Sequence, residues 1–437
     1  MPRPPHPRSR RHSPGQRPPA DPPGVPARRA ALRLLDAVLR RGLAIEQALA
    51  AATAGLSPPD RGLAHAIAAE VLRRLADLDA LIDGATRNRL PDDAKARFAL
   101  RIALVQALRL GTPPHAAIST VLPLVDGGPR KLVHGVFGTL LRGDAALPDT
   151  PALPPPVHDR IARNWGDRVA RAAGEAIAAP PPLDLTLRGD PPLAGVSLLP
   201  GHVRLTTDTP VPDLPGYAAG DWWVQDLAAS LPARLAGGGG GHALDLCAAP
   251  GGKTLQLAAA GWDVTAVDIS ESRLARLSEN LARTGLSATI VTADLLDWQP
   301  PAPADVVLLD APCSATGIFR RHPDVLHRVG PRVIAEMAEV QARLLPRAAS
   351  WVRPGGLLVY ATCSLEPEEG EAQIAAFLDS HPDFAIDPVL PDELPEGLVA
   401  HERGWLRTLP GMLAEQGGLD GFFMVRMMRV AGDSPGT

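Results

Sequence analysis

The spacing of apolar residues divides the chain into regions of different character. Residues 1–26 carry no apolar period. Proline and arginine dominate, as in PRPPHPRSRRHSPGQRPP, and such a segment buries too little to order itself, so a disordered tail is expected. Over 27–145 the apolar positions recur at helical spacing. ARRAALRLLDAVLRRGLAIEQALAAA places Arg28, Arg29, Arg33, Arg40 and Arg41 mostly between them. Ser57-Pro58-Pro59-Asp60 opens a second run, AKARFALRIALVQALRL is another, and PRKLVHGVFGTLLR closes the region. An all-α domain of several short-connected helices is predicted, with no fixed-period repeat.

ALPDTPALPPP, 146–156, reads as a stiff proline-rich linker. A smaller α/β segment is expected over 157–235. It holds a helical stretch, VHDRIARNWGDRVARAAGEAI, strand-like LDLTLRG and HVRLTT, and a glycine-rich loop, LAGGGGGH. From 236 to 432 the pattern alternates. HALDLCA, DVTAVDIS, ATIVTAD, ADVVLLD, GLLVYATCS and GFFMVRMMRV are strand runs, separated by helical segments such as KTLQLAAAG and ESRLARLSENLARTG. This predicts an α/β domain with a mainly parallel, doubly wound sheet. Ligands bind such sheets beyond the carboxyl ends of the strands, so chemistry is sought there.

Bulk properties narrow the classes. At 437 residues, 45% hydrophobic and 21% charged, the chain has material for two or three globular cores. No apolar run approaches the roughly 18 residues of a membrane span, and the start lacks a secretory signal. The density of proline there also forbids an amphipathic presequence helix. Three cysteines, Cys247, Cys313 and Cys363, are too few for a disulfide framework and point to a reducing, cytoplasmic setting. The net charge of −4 does not announce nucleic acid, although the first thirty residues collect seven arginines against Asp21. That tail could hold phosphate non-specifically, or be a solvated tail without a partner.

Asp245-Leu-Cys-Ala-Ala-Pro-Gly-Gly-Lys253-Thr254 joins the first strand of the alternating region to its helix. Glycines there admit a ligand to the backbone, and the helix start offers free N–H groups. A triphosphate-binding loop would need glycine where Cys247 stands. A dinucleotide loop would need more than Gly251 and Gly252. Asp268 ends the second strand, where a carboxylate suits ribose hydroxyls, and Asp294 ends the third. Each Asp alone could be a helix cap. Strand ends carrying Asp in succession favour an adenosine without pyrophosphate, which points to S-adenosylmethionine. Cys313 and Cys363 follow the fourth and fifth strands, with Asp310 at the fourth strand's end. A lone cysteine is usually a small buried hydrophobe. Two at adjacent strand exits suit covalent catalysis on a pyrimidine, in which a thiolate adds to carbon 6 and makes carbon 5 nucleophilic. A carboxyl near ring N3 would stabilise the adduct. A second thiol could assist release.

At these residues the chain resembles the Nol1/Nop2/Sun family of RNA cytosine-C5 methyltransferases. The shared blocks are QDLAAS (225–230), DLCAAPGGKT (245–254), VDIS (267–270), LLDAPCSATGIFRRHPD (308–324), YATCS (360–364) and DGFF (420–423), together spanning nearly all of 157–430. The resemblance implies a Rossmann-like class I methyltransferase domain that uses S-adenosylmethionine. It implies attack by Cys363, of the Thr-Cys block, and release by Cys313, of the Pro-Cys block. The implied cofactor contacts are Cys247, Ala248, Ala249, Pro250, Gly251, Gly252 and Lys253, with Asp268, Asp294 and Asp310. Region 27–145 is similar to NusB-type RNA-binding domains through ALRLLDAVL, DRGLAHAIAAEVLRRLADLD, RIALVQALRLGTPPHAAISTVLPL and KLVHGVFGTLLR. His134 stands where that family usually shows Asn, and Arg188-Gly189 replaces a usual Arg-Asn pair.

The combination implies a ribosomal substrate, 16S rRNA of the small subunit, with 157–235 as an RNA-recognition subdomain. The target base must be unpaired or flipped out. Arg320, Arg321 and His322 are candidate phosphate or base contacts. No metal and no membrane is expected, and the chain is read as a monomer. Two other classes are weighed. A non-catalytic RNA-binding or assembly protein on this fold would not bind S-adenosylmethionine. A methyltransferase of proteins or small molecules would have no use for two catalytic thiols.

Overall fold

A computed structural model describes residues 21–189 and 191–430. Most of the tail expected over 1–26 therefore lies outside the described residues, and helix already begins at Val25. The helical region comprises α1 (Val25–Leu39), α2 (Ile45–Ala52), α3 (Pro58–Arg73), α4 (Leu75–Gly84), α5 (Lys95–Leu108), α6 (Pro114–Val121) and α7 (Gly128–Arg142). The first long helical run is thus two helices, broken by the turn at Gly42, whose φ is +66°. Ser57 caps α3 by accepting from the Asp60 N–H, as its place before Pro58-Pro59 predicts. Leu34, Leu35, Ile67, Leu72, Leu100, Leu104 and Phe137 share one core. Not every arginine faces water. Arg28 is buried and donates to Gln106 Oε1 at 2.7 Å. Arg97 and Arg101 are buried against Asp79 and Asp83.

The proline-rich stretch does not hang free. Arg74, buried at the end of α3, donates to the carbonyls of Pro148 and Asp149, and Asp77 accepts from Ala152 N at 3.1 Å. Its last residues begin α8 (Pro155–Trp165), which α9 (Asp167–Ala176) follows across Gly166. A three-stranded antiparallel sheet comes next, in the order β2 (His202–Leu205), β1 (Leu183–Leu187), β3 (Trp222–Val224). Leu185, Val203, Leu205 and Trp222 form its core. Buried Asp184 receives two hydrogen bonds from Arg204 and one from Leu227 N. Burial works to raise its pKa, but the hydrogen bonds and charge of Arg204 and His202 hold the carboxyl far below the ordinary range.

The remaining elements are α10 (Leu227–Leu235), β4 (His242–Leu246), α11 (Gly252–Ala259), β5 (Asp263–Asp268), α12 (Glu271–Thr284), β6 (Thr289–Thr292), β7 (Ala304–Asp310), α13 (Val325–Arg328), α14 (Pro331–Ser350), β8 (Val352–Thr362), α15 (Glu371–Ser380), β9 (Phe384–Ile386), β10 (Leu406–Thr408) and β11 (Phe422–Arg429). Among the described residues these strands build an eight-stranded sheet in the order β10-β11-β8-β7-β4-β5-β6, with β9 beside β11. From β8 to β6 the strands are parallel, while β11 runs antiparallel to β8. Alternate residues serve opposite faces. Leu244, Leu246, Val307, Leu309 and Tyr360 pack with Leu344, Leu345 and Phe377 of α14 and α15. Ala243, Val306, Leu308 and Val359 pack with Leu227, Leu231 and Leu257 of α10 and α11. Both faces are covered, which is why these strands read as nearly continuous apolar runs. The chain order reverses between β4 and β7, and the crevice at their carboxyl ends is the place a ligand can enter.

Among the described residues no helix is long and apolar enough to cross a membrane.

Candidate active site

The two strand-exit cysteines are brought together by sheet register. Asp310 of β7 pairs with Ala361 of β8, and beyond the strands Ala311 N donates to Ala361 O at 2.9 Å. Gly317 N then donates to Cys363 O at 3.0 Å, and Gly421 N to Gly317 O at 2.9 Å. A Cβ on Gly317 would sit 1.9 Å from Gly421 O, so only glycine permits this approach. The loops leave Cys313 Sγ 3.3 Å from Cys363 Sγ. The Cys313 thiol is pushed well above its ordinary value. The causes are its hydrogen bond to Cys363, then burial, then the negative charge of Cys363 and Glu369. It is therefore a protonated donor at neutral pH.

Both sulfurs open into a cavity of about 540 Å³, within the range of small-ligand sites. Its walls include Cys247, Ala249, Asp268, Asp294 and Asp310. Asp268 is buried at the end of β5, where Oδ1 accepts from Ser270 N at 2.9 Å and Oδ2 from Ala249 N at 3.1 Å. Oδ2 also faces the Arg273 guanidinium at 3.5 Å, and Oδ1 keeps a second lone pair for a ligand hydroxyl. Asp294 is exposed, two residues past β6, and folds its own turn by accepting from Leu296 N at 2.9 Å. Beside Asp268, Ile269 leaves 68% of its surface open on the cavity wall, an apolar face for a flat ring. A carboxylate with a spare acceptor next to an open aliphatic surface fits the ribose and adenine of an adenosyl group.

The loop after β4 adjoins Asp268 on this wall. Cys247 adopts φ +60°, an uncommon conformation for a non-glycine residue, and burial pushes its thiol upward. Gly251 has φ +108°, and a Cβ there would meet Leu277 Cδ1 at 2.3 Å. Ala248, Pro250, Gly252 and Lys253 face a second cavity of about 450 Å³, also lined by Asp310, Gln225, Arg321 and His322. Lys253 Nζ donates to Asp310 Oδ2 at 2.7 Å, so this pair stands where the two cavities adjoin. Burial works against the ammonium, but Asp310 more than offsets it and the Lys253 pKa is raised. Asp245, fully buried behind the pair, accepts from Thr254 Oγ1 at 2.5 Å. Burial pushes its carboxyl up to about 7.

One expectation is corrected. Arg320 is buried, pairing with Asp420 at 3.2 Å and donating to Gly417 O at 3.0 Å, so it holds the loop before β11 rather than reaching for phosphate. Arg321 pairs with Asp226 at 2.8 Å and, with His322, lines the second cavity. Sequence reading missed Gln225, Asp245, Gln341 and Glu369. Glu369 lies in LEPEEGE, an acidic run that reads as solvated loop, yet the side chain is fully buried. No local pattern marks it.

Residues 234–428 match the family described as 16S rRNA methyltransferase RsmB/F, and residues 25–137 match the NusB family. "Ribosomal RNA small subunit methyltransferase B" of Salmonella arizonae is 34% identical over 435 residues, covering 92% of this chain and 98% of its own. The protein of the same name from Xanthomonas campestris pv. campestris is 37% identical over 402 residues, covering 84% of this chain and 90% of its own. In fold, the crystal structure of PH0851 superposes with a TM-score of 0.70 at 21% identity, covering 92% of this chain and 98% of that one. With relatives similar over nearly their whole length, and the helical region preceding the same catalytic-type sheet, the chain belongs to the RsmB/F family of 16S rRNA methyltransferases.

Proposed function

We propose that this enzyme methylates carbon 5 of a cytosine in small-subunit ribosomal RNA, with Cys363 attacking carbon 6 of the ring. S-adenosylmethionine-dependent methylation of rRNA follows from family membership. The observation carrying the covalent reading is the pair of sulfurs 3.3 Å apart in a cavity that also holds Asp268, Asp294 and Asp310. When bound, S-adenosylmethionine supplies an electrophilic methyl group. Asp268 would hold its ribose, Asp294 and Ile269 its adenine, and the segment Cys247 to Lys253 the rest.

The Cys363 thiolate adds to carbon 6, and the ring electrons so displaced make carbon 5 nucleophilic. Cys363 lies close enough to Lys253 to act electrostatically on its ammonium. Among the described residues Asp310 takes one side-chain hydrogen bond, from Lys253, which leaves Oδ1 for the edge of the pyrimidine. After methylation the carbon 5 proton passes to solvent. Its bonding pair becomes the C5–C6 double bond, and the C6–S bond breaks with its pair on Cys363. The Cys313 thiol, hydrogen-bonded to that sulfur, stabilises it as it leaves.

The NusB-like helices and the segment 157–235 would bind the RNA around the target, with Arg321 and His322 near the flipped base. The active species is taken to be a cytoplasmic monomer that needs no metal. Cys363→Ala tests the reading. Methyl transfer to rRNA should fall to background while S-adenosylmethionine still binds, and undiminished turnover would refute the nucleophile.

A further inference from the structure

Glu369 is a heavily hydrogen-bonded buried carboxylate outside the site just described. It is fully buried, and among the described residues no cation pairs with it. Instead Oε1 accepts from Ser314 Oγ, and from Ser364 Oγ at 3.0 Å. Oε2 accepts from Ser314 N at 2.8 Å and from Gln341 Nε2 at 2.9 Å. Ser314 follows Cys313 and Ser364 follows Cys363, so one carboxylate grips the residue after each sulfur. Gln341 Nε2 also donates to Pro312 O at 2.9 Å, which fixes the residue before Cys313. The clamp itself is anchored, since Tyr360 Oη and Thr362 Oγ1 donate to the Glu369 carbonyl at 2.9 and 3.2 Å.

A buried carboxylate without a cation costs stability compared with an apolar residue of the same shape. Its four donors all lie on the two cysteine loops or on the side chain that reaches Pro312. We propose that Glu369 is a positioning residue for the release step, holding the Cys313 and Cys363 loops at one fixed separation so that their sulfurs stay in contact. The inference rests on the two-thiol reading above. Loosening the clamp lets the loops part and breaks the S–H···S hydrogen bond. Cys363 then becomes a poorer leaving group, as it does when the Cys313 sulfur is removed.

The test is adduct trapping with substrate RNA and S-adenosylmethionine, read on denaturing gels beside turnover. Glu369→Gln keeps the shape, but its amide cannot accept from all four donors. Expected are a fall in kcat of about tenfold, the scale of one hydrogen bond to a charged group, and a slow-migrating RNA–protein band. Affinity for S-adenosylmethionine should be unchanged. A purely structural role would lower stability or cofactor affinity without trapping RNA. If Cys313→Ala accumulates the band and folded Glu369→Gln does not, the positioning role is overturned while the two-thiol mechanism stands. If Cys313→Ala itself gives no band, the two-thiol mechanism falls and this proposal with it. Should Glu369→Gln fail to fold, Ser364→Ala removes one arm of the clamp and is scored on the same gel. A band there supports the clamp, and its absence overturns it.

Discussion

On the proposed two-thiol mechanism, removing the Cys313 sulfur should separate attack from release. In the free enzyme Cys313 and Cys363 are hydrogen-bonded sulfur to sulfur at 3.3 Å, and the Cys313 pKa is raised so that it keeps its proton. A hydrogen bond to a charged group contributes about 1.5–3 kcal/mol. It stabilises Cys363 as a thiolate but not as the thioether of the covalent adduct. Losing it therefore tilts the balance towards the adduct by that amount, which is roughly 10- to 150-fold at 1.36 kcal/mol per decade. Cys313→Ala also leaves a sulfur-sized void costing about 1 kcal/mol, small beside the roughly 5–15 kcal/mol of a typical domain. The variant should stay folded, transfer one methyl group, and then stall. Rapid-quench kinetics with labelled methyl donor should show a single-turnover burst followed by steady-state turnover reduced by the factor above. The label should migrate with protein-bound RNA on denaturing gels. Adding Cys363→Ala should abolish the band. Steady-state turnover within twofold of the unmodified enzyme, with no band, would remove Cys313 from the release step.

Gly317→Ala should disrupt the site without touching a reacting group. Its Cβ would press on Gly421 O at 1.9 Å and push the loop that carries Cys313 away from the turn before β11, costing about 1–3 kcal/mol or more. Thermal melts and methyl transfer should fall together, and an unaltered melt would contradict the close approach. Asp184→Asn should destabilise the three-stranded sheet by about 3–5 kcal/mol, because Arg204 is left buried without its charge partner. Urea unfolding measures this, and a change under 1 kcal/mol would contradict it. Asp245 carries a pH signature. Its folded pKa of about 7 lies above the ordinary 3.8, so its contribution to stability is complete below about pH 4 and is lost as pH rises to 7. The effect is on the order of a few kcal/mol. Asp245→Asn should shrink the stability difference between pH 5 and pH 8, and an unchanged difference would assign the pH dependence elsewhere.

Much of this protein follows from local sequence alone. β7 and the second half of β8, from Gly356, are covered on both faces, so their residues are apolar nearly throughout and mark themselves as strands. Several helices of 27–145, such as α1 and α7, bury one stripe and show it as a period, whereas α5 is buried on every side from Ala96 to Gln106. The cysteine and aspartate blocks are contiguous, so a chemistry for the site could be proposed before any contact was known. Tertiary structure decided the rest, above all the burial of polar groups. Arg97 meets Asp83 across 14 residues, and Glu369 meets Ser314 across 55. Arg320 lies on Asp420, 100 residues away. The short strands Trp222–Val224, Phe384–Ile386 and Leu406–Thr408 exist because a neighbouring strand offers its edge. The physical reason is common to all of them. Apolar patterning records an average environment that each stretch of chain carries in itself. A buried charge or a three-residue strand is stable only through a particular partner, which folding supplies from elsewhere in the chain.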